Sequence, residues 1–295
     1  MASIKELFVP FKEYKTYVRI VGQEYNKAPI LMLHGGPGST HNSFELLDDL
    51  ADILKRPLIM YDQLGCGLSS IDVDPKLYRK EIWVEELINL REYLHLDKVH
   101  LFGHSWGGML EIIYQCDYQP DGILSMILSS TLASASLWEK ETHRLIIQMS
   151  EKEQKSIRFA EKRNNFSYKS FKKAEEHYLS MFVFAKPNDD DPECLRRVKA
   201  GGKIPYITAW GPCEFKPLGN LSNYEYLDKL HIIKSPTLVI HGEYDESTIL
   251  QNEEIYNHLT CQKDYKMVPK ARHRTYYENK DFYIKALEEF YKDKE

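Results

Sequence analysis

One five-residue run in this 295-residue chain has the makings of a nucleophile: Gly103-His104-Ser105-Trp106-Gly107. It follows the apolar run Val99–Phe102. It precedes a helical pattern in which Leu110 and Tyr114, then Ile113 and Asp117, recur about one turn apart. A serine flanked two residues away on each side by glycine, between strand and helix, is the context of a nucleophile elbow. Side chains at 103 and 107 would collide with neighbouring backbone at such a turn. The turn lifts the Ser105 hydroxyl above the sheet edge and aims a helix N-terminus at the reacting carbon. Without its strand and helix, the same pattern is only a Gly-rich packing turn carrying a surface serine.

A serine hydroxyl needs a base, and the base needs an orienting carboxylate. With this kind of turn they follow in the chain order Ser, Asp, His. Asp245 lies just beyond the apolar run Thr237–Ile240, in Gly242-Glu243-Tyr244-Asp245. His273 lies between an apolar run around Met267 and a terminal helical pattern. Both positions follow strands, where catalytic groups collect in open α/β sheets. His34 and His104 precede or flank the nucleophile, and His241 ends a strand, so chain order and context favour His273. The oxyanion of an acyl-transfer intermediate needs preorganised N–H donors. The amide of Trp106, after the nucleophile, is one candidate. Gly36, in His34-Gly35-Gly36-Pro37-Gly38, is the other, because Pro37 has no N–H.

These residues must be positioned by a sheet. Tyr14–Val21, Pro29–Leu33, Pro57–Tyr61, Lys98–Phe102, Pro236–His241 and Tyr265–Val268 read as strands, mostly short apolar runs bounded by turn residues. Trp83, Leu87, Leu90 and Leu94 follow helical spacing, with Glu85, Glu86 and Arg91 placed on the polar side. Asp281–Tyr291 reads as a terminal helix with Phe282, Leu287 and Phe290 inward. The alternation predicts an α/β fold, a mostly parallel sheet flanked by helices. From about residue 132 the texture turns charge-rich and helical, and strands return after 225. The expected division is a core of 1–131 and 225–295 interrupted by a helical cap at 132–224, a size within the usual range for a lid.

Composition removes other classes. Lys plus Arg number 39 and Asp plus Glu 44, a net charge of −5, so nucleic acid is not an expected partner. No stretch approaches the roughly 18 apolar residues of a membrane span, and the first residues lack a signal-peptide core. The five cysteines are scattered and never in a C-x-x-C pair, which predicts reduced thiols, no metal site and a cytoplasmic protein. No membrane partner and no cofactor are expected. A homo-oligomer is compatible with the sequence but not set by it. Tyr, at 20 residues, is unusually abundant. Much of the aromatic content falls in the predicted cap, and Tyr206 and Trp210 are candidates for a pocket wall.

His34-Gly35-Gly36-Pro37-Gly38, Tyr61-Asp62-Gln63-Leu64-Gly65-Cys66-Gly67-Leu68-Ser69 and Gly103-His104-Ser105-Trp106-Gly107-Gly108 together resemble the proline iminopeptidases. These are serine aminopeptidases of the α/β-hydrolase fold, and the likeness is to the branch of the lactobacillus and tricorn-interacting enzymes. It extends to Trp210-Gly211-Pro212-Cys213-Glu214-Phe215 and Gly242-Glu243-Tyr244-Asp245-Glu246. The resemblance implies removal of an N-terminal residue, often proline, from short peptides with a free N-terminus, without a metal. It implies a triad at Ser105, Asp245 and His273 and oxyanion donors at Gly36 and Trp106. It also implies that Glu214 and Glu246 hold the substrate amino group, as paired carboxylates can through charge-assisted hydrogen bonds. An amino-acid amidase or esterase using the same triad is the alternative. The chain departs from the pattern in His104, where relatives can carry Gln or Ser, and in Arg272 and Arg274 beside the base. Both arginines are expected to point outward.

Overall fold

In the computed structural model, which describes residues 2–184 and 186–294, the strands are β1 (Ile4–Phe11), β2 (Tyr14–Val21), β3 (Ile30–Leu33), β4 (Leu58–Asp62), β5 (Val99–His104), β6 (Ile123–Ser129), β7 (Thr237–Gly242) and β8 (Lys263–Val268). They form one eight-stranded sheet in the order β1-β2-β4-β3-β5-β6-β7-β8. β1, β2 and β4 pair antiparallel, and every later neighbour pairs parallel. This is the mostly parallel, helix-flanked α/β sheet that the sequence predicts.

Every residue of β3, β4, β5 and β7 is buried, because helices cover both faces of these inner strands. Along β5, Leu101 faces one core with Trp83, Leu87 and Leu110, while Phe102 faces the other with Phe44, Tyr283 and Leu287. Alternate side chains of the central strand therefore anchor two separate helix layers. Helices Lys80–Tyr93 and Trp106–Ile113 supply the first layer, and Lys280–Tyr291 helps build the second.

Four local readings need correction. β1 and β6 are strands that the sequence did not disclose. β1 is the sheet edge, with charged residues and Pro10, and a proline is tolerated there because an edge need not donate on both sides. Phe282 is 37 % exposed, and the inward face of its helix is Tyr283, Ala286, Leu287 and Phe290. Glu86 is 1 % exposed rather than solvated. It accepts hydrogen bonds from Thr16 Oγ1 (2.5 Å) and the Leu64 amide (3.0 Å), and burial pushes its carboxyl up to about 7.

Between β6 and β7 the described residues form no strand. Helices Ala135–Ile146, Glu151–Lys162 and Lys169–Phe182 are followed by the shorter Glu193–Arg196 and Lys203–Ala209. Ser134 caps the first by accepting from the Leu137 amide, and Ser150 and Glu153 form a reciprocal capping box on the second. Leu145, Ile157, Phe171, Tyr178 and Phe215 share a separate small core. The entry and exit of the segment are tied together: the Ala135 amide donates to the Tyr224 carbonyl and the Tyr226 amide to the Ala133 carbonyl, each at 2.7 Å.

Candidate active site

β5 ends at His104, and the chain turns through Ser105 into the helix Trp106–Ile113. Ser105 has φ +56° and ψ −120°, a conformation that L-residues rarely adopt and that commonly marks a functional turn. A Cβ on Gly107 would run into the Leu33 carbonyl oxygen, and one on Gly103 would meet the Gly107 carbonyl carbon at 2.5 Å. The two glycines thus let β3, β5 and the helix approach closely enough to hold the turn.

Asp245 follows β7 and His273 follows β8. His273 Nδ1 lies 2.7 Å from Asp245 Oδ1. The Ser247 amide also donates to Asp245 Oδ1 (2.8 Å) and the Gly242 amide to Oδ2 (3.3 Å), so the carboxylate is fixed from two sides. Burial opposes ionisation of Asp245, but the charge and hydrogen bond of His273 prevail and hold it below the ordinary carboxyl value. The His273 ring packs against the Ser105 turn, its centroid 4.8 Å from that of His104. Burial keeps His104 neutral, far below an ordinary imidazole, with the His273 charge adding to the effect.

The loop after β3 lies against the same turn: a Cβ on Gly35 would come within 3.1 Å of Ser105 Cβ. Gly36 has φ +117°, within the range where glycine alone is unstrained. One side chain ties this loop to the nucleophile turn. Gln63 Oε1 accepts from the Trp106 indole (2.7 Å), while Gln63 Nε2 donates to the His34 carbonyl (3.2 Å). His34 Nε2 in turn accepts from the Gln63 amide (3.0 Å), so His34 is a scaffold residue. His241 is likewise occupied, with Nδ1 2.8 Å from the Gly242 carbonyl and Nε2 2.6 Å from the Tyr265 hydroxyl.

Glu246 follows Asp245 directly, is 3 % exposed, and leaves Oε2 without a partner. Glu214 comes from the long segment between β6 and β7 and accepts from the Tyr206 hydroxyl (2.5 Å). Trp138 and Trp210, edge to face at 5.8 Å, both donate indole N–H bonds to the Glu214 carbonyl. The two carboxyls interact strongly. Burial raises Glu246 well above the ordinary value, and the charges of Glu214 and Asp245 push it further. Burial also raises Glu214, against the Tyr206 hydrogen bond and the His273 charge.

A third acid, absent from the sequence reading, joins this group. Glu175 Oε1 accepts from the Glu214 amide at 3.4 Å, and burial followed by the Glu214 charge pushes its carboxyl up to about 7. Gln63 was also missed as a bridge. The arginines flanking the base differ from each other. Arg272 donates to Glu278 (2.8 Å) and the Ser180 carbonyl (2.5 Å), whereas Arg274 stacks 3.4 Å above the Phe184 ring.

Residues 28–280 match the family model described as alpha/beta hydrolase fold. A proline iminopeptidase of Lactobacillus crispatus (strain ST1) is 50 % identical over 280 residues, covering 95 % of each chain. The chain belongs to the proline iminopeptidase family. A proline iminopeptidase of Clostridioides difficile (strain 630) is 46 % identical over 289 residues, covering 98 % of each. The crystal structure of the Mycobacterium smegmatis proline iminopeptidase superposes with a TM-score of 0.84 at 26 % identity, covering 97 % of both chains. No helix of the described residues is long and apolar enough to cross a membrane. The cysteines are all free thiols.

Proposed function

We propose that the protein is a serine aminopeptidase that releases N-terminal proline, or another apolar residue, from short peptides with a free N-terminus. The observation that carries this reading is the buried pair Glu214 and Glu246 set beside Asp245 and His273. Two carboxyls held together with one oxygen unpartnered are costly, and a bound ammonium or secondary amine relieves that cost. An acylated N-terminus brings no charge and leaves the acids uncompensated.

In the proposed reaction the amine docks between Glu246, on the core, and Glu214, held by Tyr206. This sets the first carbonyl of the peptide over Ser105. Ser105 Oγ attacks that carbonyl carbon while His273 Nε2 takes the hydroxyl proton, and Asp245 stabilises the resulting imidazolium through Nδ1. The amides of Gly36 and Trp106 receive the developing oxyanion. His273 then returns the proton to the leaving nitrogen, the C–N bond breaks, and the N-terminal residue remains as an ester on Ser105. Water, deprotonated by His273, then attacks the ester carbonyl, the C–O bond to Ser105 breaks, and His273 returns the proton to Ser105 Oγ. Residues 132–224 act as a cap that admits short or flexible peptides, a role supported by their separate core and paired ends. Tyr206 and Trp210 form the wall beside the amine, where a flat pyrrolidine ring fits.

The test compares kcat/KM for a prolyl anilide, its N-acetyl derivative, prolinamide and a simple acyl ester. The reading expects the free-amine prolyl substrates to lead. Faster turnover of the N-blocked substrate or of the ester would sink it.

A further inference from the structure

Beside the base lies a groove of about 530 Å³ lined in part by Phe184, Asn188, Asp191, Leu195, Arg274 and Tyr277. Its carboxylates are already occupied. Glu278 accepts from Arg272 (2.8 Å), and Asp191 accepts from the Tyr277 hydroxyl and from the Asn188 amide (2.7 Å). Lys186, also at the groove, pairs with Glu176. Arg274 differs from these: among the described residues its side chain makes no ion pair and no hydrogen bond. Its guanidinium carbon sits 3.4 Å above the Phe184 ring centroid. The contact holds the cation on the ring while leaving its N–H donors without a hydrogen-bond partner among the described residues.

A second cation lies nearby. Lys199 Nζ donates to Ser39 Oγ (3.1 Å), just past the Gly36 loop, and no carboxylate pairs with it among the described residues. Although Lys199 is exposed at the surface, partial desolvation, followed by the Arg274 charge, pushes its ammonium down to about 8, so the two cations are within electrostatic reach. The Arg274 charge also weighs on His104, beneath the nucleophile turn. A surplus of positive charge thus stands on the His273 side of the site, opposite in sign to the acids that take the substrate amine.

We propose that Arg274, assisted by Lys199, captures the C-terminal carboxylate of the leaving peptide, making the enzyme selective for short substrates with a free C-terminus. This rests on the aminopeptidase reading above. The leaving nitrogen takes its proton from His273, whose ring packs against His104, and the Arg274 charge reaches His104, so the departing chain leaves on the Arg274 side. Each further residue moves its carboxylate away by about 3.3–3.6 Å, so one arginine reaches the terminus only of short leaving peptides. A planar guanidinium with unused donors suits a carboxylate in two-point contact. Acids at one end and cations at the other measure peptide length by charge.

The experiment compares kcat/KM for prolyl-alanine with that for prolyl-alaninamide, and for longer pairs ending in acid or amide. Prolyl anilide serves as a free-amine substrate that ends in neither an acid nor an amide. In the wild type the acid-to-amide ratio should be about ten for the dipeptide, equal to one charge-assisted contact. It should decline with length and with added salt. In Arg274→Met the ratio should fall towards one, with Arg274→Lys intermediate. A wild-type ratio of one alongside good cleavage of prolyl anilide overturns this proposal alone, and needs no variant to fold. A ratio unchanged in Arg274→Met also overturns it. Failure to cleave prolyl anilide and both dipeptides would overturn the aminopeptidase reading and this proposal with it.

Discussion

Glu246→Gln separates binding of the amine from the integrity of the fold. Glu246 is 3 % exposed, its Oε2 has no partner, and Glu214 and Asp245 both weigh on its charge. In the free protein this carboxyl is a burden: its proton-binding value is raised, so the folded state holds a proton that the unfolded chain would release. Stability is therefore lost as pH rises above the ordinary carboxyl range, and Gln removes that loss. The variant should melt higher than the wild type at neutral pH, with the gain vanishing in acid. With substrate bound the sign reverses. The amide offers one oxygen and turns an N–H group towards the cationic amine, so one charge-assisted hydrogen bond is lost, about 1.5–3 kcal/mol. That predicts a fall of about 10- to 150-fold in kcat/KM for prolyl anilide. The N-acetyl derivative should lose less, because it has no charge to forfeit. The assay is kcat/KM on both substrates with a thermal melt of each protein across pH. Unchanged prolyl kinetics together with a lower melting temperature would refute the reasoning, since Glu246 would then be a structural acid.

Four other variants, at three positions, test neighbouring parts of the site. Ser105→Ala should abolish turnover of prolyl anilide without loss of fold. Ser105→Gly should melt above Ser105→Ala, because φ +56° with ψ −120° stores about 1–3 kcal/mol of strain in any residue with a Cβ; equal or lower stability of the glycine variant would count against a strained turn. Gln63→Ala breaks the bridge from the Trp106 indole to the His34 carbonyl, so it should lower kcat by about tenfold with little change in KM, as a lost interaction specific to the transition state does. A pure KM effect would exclude Gln63 as a positioning residue. Glu175 is raised to about 7, so between pH 4.5 and 7 the folded state holds a proton that the unfolded chain releases, and stability falls as pH rises through that window. Glu175→Gln should flatten this slope in denaturant titrations at several pH values.

How much of this was readable beforehand depended on what each residue asks of the backbone. Ser105 stood out because Gly103 and Gly107 are required by contacts their neighbours make with the main chain. Asp245 and His273 stood out because each follows an apolar run that ends in turn residues, and the sheet brings those ends together. Glu175 had no such signature. It and Glu176 are adjacent in a charge-rich helix, and only the helix phase turns 175 towards Glu214 while 176 pairs with Lys186. Gln63 was hidden because an uncharged amide acquires a role only from what it spans. β6 is preceded by the turn Pro120-Asp121-Gly122, but Ser125 interrupts its apolar run, and β1 carries the charges and proline of an exposed edge, so neither looked like a strand. Phe282 shows the limit of helical phasing, since a shift of one residue moves a large ring from core to surface.

The segment between β6 and β7 does more than cover the site, because one of its carbonyl groups touches two of the site's working parts. The Phe182 carbonyl accepts from the Glu246 amide (3.3 Å) and from the His273 amide (3.2 Å). Phe182 ends the helix that carries Glu175, and two residues later Phe184 supports Arg274. A shift of this helix end therefore cannot move Glu246 without also moving His273 and Arg274. Helix termini have carbonyls to spare, so using one to join two core loops requires no extra side chain. The same geometry explains why the acids can be so poorly compensated in the free protein. The Glu246 backbone is held by this carbonyl just after β7, and the Glu214 carbonyl is held by the Trp138 and Trp210 indoles, so repulsion between the carboxyls is not relieved by moving apart. Holding a proton relieves it in the free protein, as an arriving cation would in the proposed complex.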